Sequence, residues 1–301
     1  GKQSETKKSN TQSYISYTIN KQFSFENDYL IWLNRNLVCF SGTMEYKRFP
    51  EYFYGIGNTT NKNQRTLISF DIIAVKLKGV LQIRKNLFGG LGFDYQNLFN
   101  QDIGLVSNAP GREIYGARGY TASGVGPVFI FDNRDNPLNP AKGSYFQISY
   151  TDYRHIIKNK NAFTSFYFDV RKYYTFWEKL IWNGSIYFFS NEGETPYRML
   201  PFIGGARYLR GYYRGRFRDN KLLIVQHEFR MPVYKIIGAA LFCGAGSVAE
   251  SLPHLRTNKV HYNYGIGLRI RINKKENTNL RIDYGITHDS KGLYVVFAEA
   301  F

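Results

Sequence analysis

The chain has 301 residues, a net charge of +17, and 17% aromatic residues, with 25 Tyr and 24 Phe against 3 Trp. No stretch approaches the roughly 18 consecutive apolar residues of a membrane helix, which excludes an α-helical membrane protein. A mean hydropathy of −0.39 leaves a β-barrel open, because lumen-facing and lipid-facing residues alternate along its strands and average out.

Residues 1–11 are polar and Lys-rich, without the apolar core of a signal peptide. They are read as a disordered N-terminus ahead of a barrel over 12–301, the signal peptide having been removed. From there period-2 alternation replaces helical periodicity. It predicts strands near 13–19, 22–34, 37–48, 66–82, 87–99, 122–133, 143–153, 162–176, 179–190, 220–231, 234–248, 260–272, 278–287 and 292–301. An even count of about fourteen returns both termini to one side, as in single-chain bacterial barrels. The connections alternate between short ones, such as Asn34-Arg35-Asn36, Trp177-Glu178 and Pro232-Val233, and long ones at 49–65, 100–121 and 191–219. Short periplasmic turns and long outer loops give this pattern.

The alternation is clearest near the end. Tyr262, Tyr264, Ile266, Leu268, Ile270 and Ile272 share one face, while His261, Asn263, Gly265, Gly267, Arg269 and Arg271 share the other. Leu280, Ile282, Tyr284 and Ile286 oppose Arg281, Asp283, Gly285 and Thr287 in the same way. A polar face rich in Arg, Asp and Gly suits a wet, charged lumen better than the solvent face of a sandwich. The fold class is therefore all-β, a transmembrane antiparallel barrel.

The Lys and Arg form no single stripe, so nucleic acid is not expected as a partner. Outer-membrane lipid and lipopolysaccharide phosphate are the natural counter-charges. Cys39 and Cys243 lie far apart on separate predicted strands, without metal-ligand spacing. The five His show no ligand pattern, Gly-x-Ser-x-Gly is absent, and no pair of acids sits in a recognisable cleft. No metal, cofactor or enzymatic activity is expected.

The longest loop holds Gly204-Gly205-Ala206-Arg207-Tyr208-Leu209-Arg210-Gly211-Tyr212. An Arg set between a hydrophobe and a Gly-aromatic pair suits a loop that folds into the barrel and meets a carboxylate on the wall. Strand parity points Glu228 into the lumen as its partner, with Asp283 in reserve. Gly204 and Gly205 can alternatively serve only as turn formers, and Arg210 can merely plug the lumen.

These residues resemble the BamA/TamA superfamily of outer-membrane barrels, also called the bacterial surface antigen family. Leu209-Arg210-Gly211-Tyr212 resembles its Val-Arg-Gly-Phe signature. The run Asp132-Asn133-Arg134-Asp135 to Pro140, with Gly143, resembles its periplasmic turn. Gln226-His227-Glu228-Phe229-Arg230 resembles the strand that follows, and the closing series ends on Phe301, the family's C-terminal signal. Phe49 to Asn58 is similar to versions from Bacteroidota-type bacteria.

Family barrels usually have sixteen strands behind periplasmic POTRA domains, which leaves sixteen as the alternative count. The chain resembles minimal members that lack POTRA domains, or an excised barrel. The family also tends to place an Asp in the strand after Glu228, where this chain has Gly244. The resemblance implies a bacterial outer-membrane protein that assists insertion or translocation of unfolded outer-membrane proteins, or of lipids, through a laterally opening seam. A translocator barrel of a two-part, patatin-type secreted protein and a passive porin are the alternatives. A homodimer or accessory lipoproteins stay open as partners.

Overall fold

The structure, a computed structural model, describes residues 9–18, 22–102, 114–154, 162–177, 179–274 and 277–300. Its strands are β1 (Asn10–Tyr17), β2 (Phe23–Leu33), β3 (Val38–Arg48), β4 (Glu51–Phe53), β5 (Thr66–Arg84), β6 (Leu87–Asp102), β7 (Tyr120–Asp132), β8 (Gly143–Asp152) and β9 (Phe163–Phe176). They continue with β10 (Leu180–Gly193), β11 (Phe202–Ile203), β12 (Phe217–Arg218), β13 (Lys221–Tyr234), β14 (Ile237–Ala249), β15 (His261–Asn273), β16 (Thr278–Thr287) and β17 (Lys291–Phe297). One short helix, α1 (Leu252–Thr257), follows β14.

The main sheet runs β1-β2-β3-β5-β6-β7-β8-β9-β10-β13-β14-β15-β16-β17, with antiparallel neighbours throughout. That path contains fourteen strands. The short β4 adds to the outer end of β5, and β11 with β12 makes a hairpin inside the long loop. Among the described residues, no backbone pairing joins β1 to β17. β1 begins at Asn10, within the segment read as an N-terminal tail; residues 1–8 of that tail lie outside the described residues.

Alternation along each strand sorts the side chains. On β15 Tyr262, Tyr264 and Ile266 are exposed outward, while His261, Asn263 and Arg269 are buried. On β13 Leu223 and Phe229 face outward, and Gln226, Glu228 and Arg230 are buried inside. An apolar exterior around a polar interior is what a strand crossing lipid requires.

Among the described residues the interior is packed in three places. Phe53, Ile68, Phe70, Ile72 and Tyr120 cluster with Tyr153 and Tyr197. Tyr187, Ile203, Leu209, Tyr212, Phe217 and Ile224 form a second cluster, in which the loop supplies the filling. Trp32, Cys39, Val80, Phe88 and Val128 form a third. Cys39 is buried on β3 and Cys243 exposed on β14, and no disulfide joins them.

The last strand is shorter than its alternation suggests. It ends at Phe297, because Ala298 takes a left-handed backbone with φ +64° and turns the chain inward. Glu299 then donates its N–H to the Leu138 carbonyl at 3.1 Å, on the turn between β7 and β8.

Candidate functional site

The loop between β10 and β13 owes its shape to its glycines and its own hydrogen bonds. Gly204 has φ +115°, and a Cβ there would lie 1.9 Å from the Tyr213 carbonyl oxygen. Gly204 N–H donates to Tyr208 O at 2.6 Å, Gly205 N–H to Tyr212 O at 3.0 Å, and Gly215 N–H to Ile203 O at 3.1 Å. Leu209 and Tyr212 are fully buried. Each contributes roughly 2 kcal/mol of hydrophobic stabilisation.

The wall receives this loop through named partners. Leu209 N–H donates to Gln226 Oε1 at 3.1 Å, and Gln226 Nε2 donates to Arg207 O at 3.1 Å. Asn263 Nδ2 donates to Arg210 O at 2.8 Å, and Gly211 N–H to Tyr294 Oη at 3.0 Å. Ser290 Oγ donates to Gly211 O at 2.9 Å. At Gly285 a Cβ would sit 2.5 Å from the backbone C and O of Arg210, so only glycine lets the loop backbone lie against β16.

Arg210 lies at the centre, almost wholly buried. Its Nη2 donates to Glu228 Oε2 at 2.7 Å and its Nη1 to Asp283 Oδ2 at 2.6 Å. Its Cζ stands 3.5 Å from the centroid of the Phe242 ring. The two acids also hold other arginines. Arg269 reaches Asp283 at 2.6 Å and Glu228 at 3.3 Å, Arg281 reaches Asp283 at 2.5 Å, and Arg230 reaches Glu228 at 3.6 Å. Glu299 completes the group, accepting from Arg269 Nε at 2.8 Å and Asn279 Nδ2 at 2.7 Å. Four buried arginines thus share three buried acids. Such a network contributes little net stability, because desolvation offsets attraction, but removing one member strands its partners.

Asp283 is no reserve partner, since it meets Arg210 as closely as Glu228 does. Nor does Gly244 leave the arginine short of acids. A Cβ there would come within 2.7 Å of Leu209 Cδ2, 2.8 Å of Asn263 Oδ1 and 2.9 Å of Gln226 Cγ, so the loop occupies the space an Asp would need. The second acid comes from β16 instead.

The turn between β7 and β8 reaches the same network from below. Asp132 binds Arg134 through two contacts of 2.9 Å, and Asp135 Oδ1 accepts from the N–H groups of Asn136, Ala141 and Lys142. Gly143 has φ +106°, and a Cβ there would lie 2.5 Å from Asn133 O. Arg230 donates to Asn139 Oδ1 at 2.9 Å and to Pro140 O at 2.7 Å, tying the turn to β13. Phe301 lies outside the described residues.

Sequence reasoning named Arg230, Arg269 and Arg281 without assigning them partners, and it did not name Glu299. Parity marks the three arginines as inward, but the inward position of Glu299 depends on the turn at Ala298. The loop over 49–65 also joins the packing at this end. Asn58 binds His261, with its oxygens 3.0 Å from the ring Nε2, and Arg216 contacts Thr60 at 2.8 Å and Asp289 at 3.2 Å. Glu51 pairs with Arg198. Among the described residues, no group of His, Cys, Asp and Glu is arranged to hold a metal ion.

Comparison with solved structures places this architecture among known barrels. BamA from Haemophilus ducreyi lacking POTRA domains 1-3 superposes with a TM-score of 0.61 at 14% identity, over 92% of this chain and 62% of that one. CdiB from Escherichia coli gives 0.62 at 12% identity, over 92% and 53%. CdiB from Acinetobacter baumannii gives 0.53 at 12%, over 94% and 50%. The chain therefore spans about half to three fifths of the length of these structures. No curated protein matches it. The Omp85 superfamily domain, however, matches residues 7–294, nearly the whole sheet and the loop that fills it, and the chain belongs to the Omp85 superfamily of bacterial outer-membrane β-barrels.

Proposed function

We propose that this barrel inserts or translocates unfolded outer-membrane polypeptides, and that Arg210 braces the wall beside the seam where β1 and β17 come together. The observation that carries the reading is the double hold of Arg210 on Glu228 of β13 and Asp283 of β16. Through Tyr294 the same loop also holds β17. The bracing is one-sided: β1 pairs only with β2 among the described residues. A firm edge beside a lightly held one suits a seam that opens from the β1 side. In lipid, unpaired backbone groups on such an edge are costly enough to recruit an incoming strand. Asp132, Arg134, Asp135, Pro140 and Gly143 brace the periplasmic end.

The cavity beside the loop, about 770 Å³ and lined by Glu26, Glu45, Lys76, Lys78, Arg207 and Arg214 among others, favours translocation through the lumen as the second reading. The test is the folding of a labelled, unfolded barrel substrate into liposomes that contain this protein or its Arg210→Ala variant. Acceleration by the wild type that the variant loses is the expected result. No acceleration by a folded wild-type barrel refutes insertion and leaves passage through the lumen to be measured.

A further inference from the structure

The six turns at the periplasmic end share a feature that the lumenal network does not use. Each carries an exposed cation: Arg35 between β2 and β3, Lys85 between β5 and β6, Lys142 between β7 and β8, Lys179 between β9 and β10, Lys235 between β13 and β14, and Lys274 between β15 and β16. Among the described residues none of the six enters an ion pair. Asp135 is the one exposed acid described in these turns, and its carboxylate is already occupied by three backbone N–H groups. Glu178 and Glu276 belong to the same turns but lie outside what is described of their side chains. At the opposite end Arg154, Arg198 and Arg216 have Asp152, Glu51 and Asp289 as partners.

The same turns also present apolar side chains. Trp177 is 85% exposed between β9 and β10, and its ring lies 6.0 Å from that of Phe176. Val233, Tyr234 and Ile236 are exposed on the next turn along the rim, since β10 pairs with β13. Lys235 extends over the Tyr234 ring at 5.0 Å. Aromatic and aliphatic groups beside exposed cations match the boundary between acyl chains and charged headgroups.

We infer that this rim is a binding surface for anionic phospholipid of the periplasmic leaflet, its phosphodiester groups held by the turn cations while Trp177 and Tyr234 enter the acyl boundary. The assignment rests on charge complementarity around the whole rim and is independent of any insertion activity. Each cation near an anionic surface strengthens attraction by about fivefold, and screening by salt weakens it. Lys179 lies two residues from Trp177 and Lys235 lies on the next turn along the rim, so removing both lowers the charge on the indole's side of the rim.

The experiment uses the full chain in phosphatidylcholine vesicles doped with equal fractions of brominated phosphatidylglycerol or brominated phosphatidylcholine. The Trp177 signal is taken as the fluorescence that a Trp177→Phe variant loses. The expected result is severalfold stronger quenching by the anionic lipid, falling to near parity in a Lys179→Gln/Lys235→Gln variant and in high salt. Removing two cations from the other end, Lys62→Gln/Lys291→Gln, leaves the preference intact. A heat-modifiable gel shift confirms that each variant is folded. Equal quenching by both lipids in the wild type overturns the inference, as does a preference that survives Lys179→Gln/Lys235→Gln. Protection of Trp177 from both lipids overturns it too, since that is the signature of a protein covering the rim.

Discussion

Arg210 stands over Phe242, its guanidinium carbon 3.5 Å from the ring centroid. The face of the cation is thus taken by an aromatic ring, while its edge is taken by Glu228 and Asp283. A desolvated contact of this kind contributes about 2 kcal/mol. A lysine would keep the charge but lack both the plane and the fork.

Arg210→Ala is therefore expected to destabilise the barrel by ~3 kcal/mol, because two carboxylates lose a buried partner. Arg269, Arg281 and Arg230 limit the loss by holding the same acids. Arg210→Lys should fall between wild type and alanine. Urea unfolding followed by tryptophan fluorescence in bilayer vesicles gives the order, and a lysine variant as stable as wild type would show that plane and fork are dispensable.

Gly244→Asp supplies the acid that the family resemblance leads one to expect at this strand, yet it should weaken the site. Its Cβ meets Leu209 and Asn263 at under 3 Å, so the loop has to lift. Gly285→Ala should act similarly, through the Arg210 backbone. Trypsin cleavage at Arg207, Arg210 and Arg214 reports loop release; both variants are predicted to be cut faster than wild type, with the barrel strands left intact.

Acid should loosen the outer end through Glu51, which lies on the short β4 outside the spanning strands. Burial pushes its carboxyl up, but Arg198, with Arg214 and Arg218 farther off, pulls harder and holds it down to about 2. The folded value lies below the unfolded one. Its stabilisation is thus complete above the usual carboxylate range and is lost as pH falls through that range toward about 2. Proteolysis within 49–65 by an acid-active protease should rise over that window. In Glu51→Gln the rise should be absent, and an identical profile in both proteins would discount the pair.

Glu299→Ala removes the acceptor of Arg269 and Asn279 and should free the segment after β17. Faster amide exchange across residues 291–300, with β14 and β15 unchanged, is the expected pattern. Uniform exchange changes over the whole barrel would point to a global role instead.

Strand positions were readable because each spanning strand has two different solvents, lipid outside and polar lumen inside. The reading at 278–287 coincides with β16, and those near β2, β3 and β9 fall within a residue at each end. The loop interiors were not readable in this way. Helix α1 spans only Leu252–Thr257, announced by little more than Ser251 and Pro253, and β4 has just three residues. Parity could send Glu228 and Asp283 inward without saying which arginine each would meet. That depends on the depth of the loop, which Gly285 and Gly244 set by leaving room. The turn at Ala298 had no signal, because nothing in an alanine forecasts a left-handed backbone.

That turn also limits what the open edge can offer. β17 has seven residues where β5 has nineteen, and at about 3.4 Å per residue its edge is only about 24 Å long. On the proposed reading, a strand aligned along it would find a ruler rather than an endless ladder. If β17 templates an incoming strand as proposed, its seven residues limit that pairing to a few rungs.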